Sequence, residues 1–396
     1  MDVILSSLLL WYGLTGGSGE QDITPARVAG AYLNAAAGHQ IVQPAIEIAG
    51  LNGVAADAPA KADPQPDAPE VKGVYVSAYS AGSERFPSLL KLVDDTELNA
   101  MVIDVKDDNG YITYATETPE LLEYGTPQNY IGDIDRLMRL LSQHRIYPIA
   151  RIVVFKDTVM AHKHPELSFL YEDGTLWKNN KGESFVNPYR EEVWKYNVAV
   201  AKEAARLGFK EIQFDYVRFP EGVEQRAGSL TYDKTEQSRV DTIAGFVKYA
   251  REQLEPLGVR VSVDIFGYAA SVPAAESIGQ DFAKISSDVH VISPMIYPSH
   301  YGSGWFGLDD PDKNPYHTVK GAIEDTLEKL ATAGGRKPVV RPWLQDFTAN
   351  WLGEGRYIPY GKKQVEAQIK ALNDSGVKEY LIWNAANKYS FADSSP

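Results

Sequence analysis

The chain reads as an α/β protein: a (β/α)8 TIM barrel behind an N-terminal tail and a Pro/Ala-rich linker. Three observations predict this. Eight short apolar or β-branched runs alternate with amphipathic stretches over residues 72–391, the count of a closed α/β barrel. Glycines stand between helix and strand at Gly208, Gly258, Gly334 and Gly376, where a left-handed residue closes a helix. The runner-up, a doubly wound open sheet, favours a Gly-rich phosphate loop after the first strand. That stretch here is Ser77-Ala78-Tyr79-Ser80-Ala81-Gly82-Ser83, and no Walker-type loop occurs elsewhere.

The strand candidates are Gly73–Ala78, Ala100–Val105, Tyr147–Val154, Glu211–Val217, Arg260–Phe266, Val289–Ile296, Val339–Leu344 and Glu379–Trp383. Each is short, apolar on both faces and bounded by polar residues, as a strand buried under helices must be. Helices are expected over Phe86–Thr96, Asp133–His144, Glu191–Leu207, Thr242–Leu257, Gly279–Ser286, Val319–Ala333 and Lys363–Ser375. In the second of these Ile134, Leu137, Leu140 and Leu141 share one face. Phe155–Pro188 and much of 106–130 read as long loops, and such loops commonly form binding walls or lids.

Ahead of the barrel, residues 53–70 are rich in Ala, Pro and Asp and cannot bury a core, so 20–71 reads as weakly structured tail and linker. Residues 1–19 contain an apolar run, Ile4–Leu14, about as long as a signal h-region and short for a bilayer span. It lacks the preceding Lys or Arg of an ordinary signal. The expectation is a signal or membrane anchor, and a secreted or cell-envelope protein.

Composition narrows the chemistry. With 39 Lys and Arg against 53 Asp and Glu the net charge is −14, which disfavours nucleic acid as a partner. There is no cysteine, so disulfides, zinc–thiolate sites and cysteine nucleophiles are excluded. No metal-ligand spacing or nucleotide loop is found, and no cofactor is expected. Oligomeric state is not legible. Aromatic residues reach 11%, a mild excess that suits a sugar-binding cleft and also an ordinary core.

In a barrel the active site lies at the C-terminal ends of the strands. Three aspartates, Asp104, Asp215 and Asp264, each interrupt an apolar strand just before its end. A lone buried Asp is costly unless paired, and Arg151, Arg218, Lys106 and Arg341 are available as partners. Paired carboxylates beside aromatic rings are what glycoside hydrolysis requires. Asp215 and Asp264 fall on adjacent strands about 4.8 Å apart, which favours the shorter carboxyl separation of a retaining enzyme. They are the expected catalytic pair, Asp215 as nucleophile and Asp264 as acid/base.

The motifs Lys72-Gly73-Val74-Tyr75-Val76, Val102-Ile103-Asp104-Val105-Lys106-Asp107, Gln213-Phe214-Asp215-Tyr216-Val217-Arg218-Phe219-Pro220 and Ile292-Ser293-Pro294-Met295-Ile296-Tyr297-Pro298 carry a family likeness. Through them the chain, from about Lys72 to Asn387, resembles a bacterial glycoside-hydrolase-like family first catalogued as a domain of unknown function. The resemblance implies a (β/α)8 barrel acting on a polysaccharide. A more distant likeness is to chitinase-type barrels, but Val217 stands where their catalytic Glu would be, so their mechanism does not transfer. In amylase-type barrels a fourth-strand Asp is the nucleophile and the acid sits on the fifth strand. Asp215 and Asp264 match those places by architecture only.

Substrate contacts are expected from Asp104, Lys106, Arg151, Arg218, Tyr297, His300, Trp343, Asp346 and Trp383, all at or near strand ends. Asp107 and Asp108 read as the start of a solvated loop. The leading reading is a glycosidase taking a carbohydrate substrate. The alternative, a non-catalytic carbohydrate-binding barrel of the cell envelope, stays open because no strand-end Glu is available as the usual acid.

Overall fold

The computed structural model describes residues 68–223, 226 and 228–390. The expected signal or anchor segment (1–19) and nearly all of the tail and linker lie outside the described residues. Eight parallel strands form the barrel: β1 (Lys72–Val76), β2 (Ala100–Lys106), β3 (Tyr147–Val153), β4 (Glu211–Asp215), β5 (Arg260–Phe266), β6 (Val291–Met295), β7 (Val339–Val340 with Trp343–Gln345) and β8 (Tyr380–Trp383). Neighbours in the chain are neighbours in the sheet. The ring closes where β8 pairs with β1, Lys72 opposite Tyr380 and Val74 opposite Ile382. Helices α1 (Phe86–Asp94), α2 (Ile134–Gln143), α3 (Glu191–Leu207), α4 (Arg239–Leu254), α5 (Phe282–Ser287), α6 (Pro315–Thr332) and α7 (Lys362–Asp374) run between strands.

Successive side chains of a strand point to opposite faces, so each strand divides its residues between barrel interior and helix layer. Val74, Met101, Ile103, Ile152, Ile212, Phe214, Val261, Val263 and Ile382 join the core under the helices. Tyr75, Val102, Ile149, Trp343, Leu381 and Trp383 pack together as a second, interior cluster. The interior also holds side-chain ion pairs. Near the start of β4, Glu211 meets Arg341 at 2.7 Å, and Arg341 meets Glu379 at 2.7 Å.

Several elements differ from expectation for identifiable reasons. The fourth strand stops at Asp215, not Val217, because Tyr216 turns left-handed at φ 52°. The seventh is split at Arg341-Pro342, where proline offers no N–H to the ladder. α4 begins earlier because Ser238 caps it, its hydroxyl accepting from the Asp241 N–H at 3.0 Å. Gly335, not Gly334, holds the left-handed position after α6. The two long loops contain short helices, Pro119–Tyr124 and Thr158–Lys163, the latter capped by Asp157. Leu170–Tyr171 pairs antiparallel with Leu230–Thr231, joining the loops after β3 and β4.

Candidate active site

Arg151, in mid-β3, is buried at the centre of the upper barrel and carries three carboxylates. Its Nη1 donates to Asp104 Oδ1 at 2.7 Å and to Asp108 Oδ2 at 3.1 Å. Nη2 and Nε both donate to Asp215 Oδ2, at 2.6 and 3.0 Å. Its guanidinium also lies over Tyr75 and Trp383, 5.6 and 5.4 Å from the ring centroids. Asp104 and Asp215 flank Arg151 because the strands run in register: Asp104 opposite Arg151, and Val153 opposite Asp215.

Asp104 receives a second hydrogen bond, from the Tyr75 hydroxyl at 2.6 Å. Burial still dominates and pushes its acid up to about 6 against the pull of Arg151. Asp108 is the contrasting case. Burial alone would raise it, but Arg151 and Lys156 together outweigh burial and hold its carboxyl well below the usual range. Lys156 reaches Asp108 Oδ1 at 3.0 Å and Glu183 at 3.0 Å.

Asp264 stands one strand beyond Asp215. Phe214 pairs with Val263, so the next residues along β4 and β5 are Asp215 and Asp264, side by side on one face. Among the described residues no Lys or Arg side chain contacts Asp264; its Oδ1 accepts from the Trp343 indole N–H at 2.8 Å. Burial raises its pKa well above the ordinary carboxylate value, and the nearby charge of Asp215 adds to this. Two carboxyl groups in unlike environments therefore face the same space.

That space is a cleft at the C-terminal end of the strands. Eight expected residues line it: Asp215, Asp264, Arg151, Arg218, Tyr297, His300, Trp343 and Trp383. Trp383 stacks on Tyr75 with centroids 4.1 Å apart, and Trp343 meets it edge-on at 5.5 Å. Burial pushes the His300 ring down to about 4, so it is neutral at pH 7. Tyr216 carries a strained left-handed backbone directly after Asp215, and its N–H donates to Asp215 Oδ1 at 2.6 Å. Arg218 packs over the Tyr216 and Phe266 rings at 5.0 and 4.9 Å.

Three expected contacts do not line the cleft. Lys106 is the clearest correction. A bulge between Asp104 and Lys106 places Lys106 opposite Ile152, which turns it into the helix layer. There it is fully buried against Asp157 at 2.6 Å, Asn197 Oδ1 at 3.0 Å and the Val153 carbonyl at 2.9 Å. Asp346 turns toward the chain end, accepting from the Ser390 N–H at 2.8 Å and the Ser390 hydroxyl at 2.6 Å. Asp104 sits behind Arg151 and reaches the cleft through it. Conversely, Asp108, Tyr216, Phe266, Gln280 and Met295 line the cleft without having been singled out as contacts. For Asp108 the signal was present: a second carboxylate four residues beyond Asp104, past the strand end.

Among solved structures, the glycoside hydrolase domain of PgaB (BpsB) from Bordetella bronchiseptica superposes with a TM-score of 0.56. It is 13% identical over 83% of this chain and 96% of its own, and so shares the fold. A hypothetical protein from Ruminiclostridium thermocellum ATCC 27405 is 36% identical over 48% of this chain and 96% of its own, with a TM-score of 0.44. None of the curated proteins matches the chain. A family model described as "putative glycosyl hydrolase domain" matches residues 73–389, and the chain belongs to that family.

Proposed function

We propose that the protein is a retaining glycoside hydrolase that cleaves a polysaccharide or oligosaccharide with Asp215 and Asp264. The observation that carries this is the pairing itself: two carboxyl groups adjacent across β4 and β5, one held by Arg151 and one buried against the Trp343 indole N–H. Side chains in register on neighbouring strands suit the roughly 5–5.5 Å separation of retaining enzymes. Asp264, kept protonated by burial, gives its proton to the glycosidic oxygen as the bond to the anomeric carbon breaks. Asp215, oriented by Arg151 and the Tyr216 N–H, attacks that carbon. Water then hydrolyses the glycosyl ester while Asp264, now a carboxylate, takes the water proton. Membership of the family and the shared fold of the Bordetella domain support the reading.

Tyr297, Trp343 and Trp383 would meet the sugar's apolar faces, and Arg218 its hydroxyls. The apolar run Ile4–Leu14 supports placing the activity at the cell envelope or outside the cell. The test is release of reducing ends from a panel of bacterial and plant polysaccharides. The wild-type chain should cleave at least one member. Asp215→Asn should abolish cleavage while keeping oligosaccharide binding. Undiminished hydrolysis by that variant would sink the assignment. Binding without hydrolysis by the wild type would instead favour the non-catalytic barrel.

A further inference from the structure

Beyond the cleft, aromatic rings continue along one side. Tyr297, on the cleft wall, meets Phe347 edge-on with centroids 5.7 Å apart. Phe347 in turn lies nearly parallel to Trp351, centroids 5.7 Å apart and planes at 22°. Phe347 and Trp351 are both half-buried, and neither lines the cleft. They belong to the loop after β7. Their neighbours Thr348 and Asn350 are exposed polar residues.

Hydrogen bonds hold the start of this loop. Gln345, the last residue of β7, donates from Nε2 to the Phe347 carbonyl and to Asp312 Oδ1, both at 3.0 Å. Its Oε1 accepts from the Ser299 N–H at 3.0 Å, tying the loop to the one after β6. The Tyr360 N–H donates to Thr348 Oγ1 at 3.0 Å, and the Tyr360 hydroxyl to the Asp312 carbonyl at 2.9 Å. Asp346, just before Phe347, is anchored by Ser390. A half-exposed ring pair whose first member sits on a backbone held this way offers its surface at a reduced ordering cost on binding.

We infer that Phe347 and Trp351 form an outer subsite that stacks on a further sugar of an extended carbohydrate chain lying across the cleft. The inference rests on the carbohydrate substrate proposed above. Three observations select this occupant. The rings are continuous with the cleft through Tyr297, flat rings match the apolar C–H face of a pyranose, and the polar rim of Thr348 and Asn350 can meet sugar hydroxyls. It also gives Asp346 a task as a positioning residue, acting through the backbone that carries Phe347.

The test uses the full chain carrying Asp215→Asn, titrated calorimetrically with cello-, chito-, malto- and xylo-oligosaccharides of two to six units. The series that binds should gain affinity with length. Adding Trp351→Ala should weaken the hexamer roughly two- to tenfold, the loss of one ring contact, and leave the dimer nearly unchanged. Trp351→Tyr should keep most of the gain and shows that the fold survives. Equal weakening of dimer and hexamer, no weakening, or no binding of any series overturns the inference. Wild-type hydrolysis is measured in parallel. Hydrolysis without dependence on Trp351 removes the outer subsite alone. A Trp351-dependent length effect without hydrolysis removes the glycosidase reading and leaves the subsite standing.

Discussion

Replacing Arg151 by Met tests how the upper barrel tolerates its acids. The substitution keeps much of the side-chain volume and deletes the cation shared by Asp104, Asp108 and Asp215. Removing one partner of a buried ion pair costs about 3–5 kcal/mol, because the remaining charge is left without compensation. Here Asp104 and Asp215 are both nearly inaccessible, so the upper half of that range is expected at neutral pH. Unfolding entropy is about 2.1 cal/mol/K per residue, which for a barrel of roughly 320 residues converts that cost to a Tm drop of about 6–7 °C. The loss should depend on pH. Without Arg151, burial acts on Asp104 with its main opposing charge gone, so its folded-state pKa rises further above that of the unfolded chain. A raised acid costs the folded state stability as pH rises through its window, and the cost fades as pH falls. The gap between variant and wild type should therefore be widest near pH 8 and narrow toward pH 5. Thermal unfolding by circular dichroism at both pH values measures it. A variant within about 1 °C of wild type at pH 8, or a gap that widens on acidification, would refute the reasoning.

Other expectations follow from the same geometry. Asp264→Asn should lower kcat by about a hundred- to ten-thousandfold, the usual contribution of a general acid, in reducing-end assays on the identified substrate; a loss under tenfold would count against its role. In the wild type, kcat/KM should fall on the alkaline side as pH passes the raised pKa of Asp264, and a rate independent of pH there would contradict a protonated acid. Lys106→Met should destabilise by about 3–5 kcal/mol in denaturant unfolding, since it strands a fully buried Asp157; a change below about 1 kcal/mol would mean the pair is not compensating. Gly110→Ala should be strongly destabilising, because its φ is 98° and an added Cβ would lie 1.9 Å from Asp157 Oδ1; an unchanged unfolding midpoint would show that the loop relaxes freely.

The barrel was legible because its strands are apolar on both faces and its helices on one, so periodicity alone separated them. The aspartates of β2, β4 and β5 were legible for the same reason: a carboxylate inside an apolar run demands a partner. What periodicity cannot carry is an irregularity of one residue. The bulge after Asp104 reverses the direction of Lys106, and nothing in the residue types announces it. Asp346 and Asp215 look alike in sequence, each standing at or just past the end of an apolar strand. Only the distant partner, Ser390 in one case and Arg151 in the other, separates an anchor from a residue that lines the cleft. Asp108 was visible as an acid but not as a cleft residue, because its place depends on Lys156 and Arg151 meeting it from β3 and the loop that follows.

The central claim is that Asp215 attacks the anomeric carbon while Asp264 supplies the proton. Trapping with a 2-deoxy-2-fluoro glycoside of the sugar identified by the polysaccharide panel tests it most directly, with the adduct located by peptide mass spectrometry. The account predicts one fluoroglycosyl group on the peptide containing Asp215, formed by the wild type and not by Asp215→Asn. An adduct on another residue, or turnover with inverted anomeric configuration and no adduct, would contradict it.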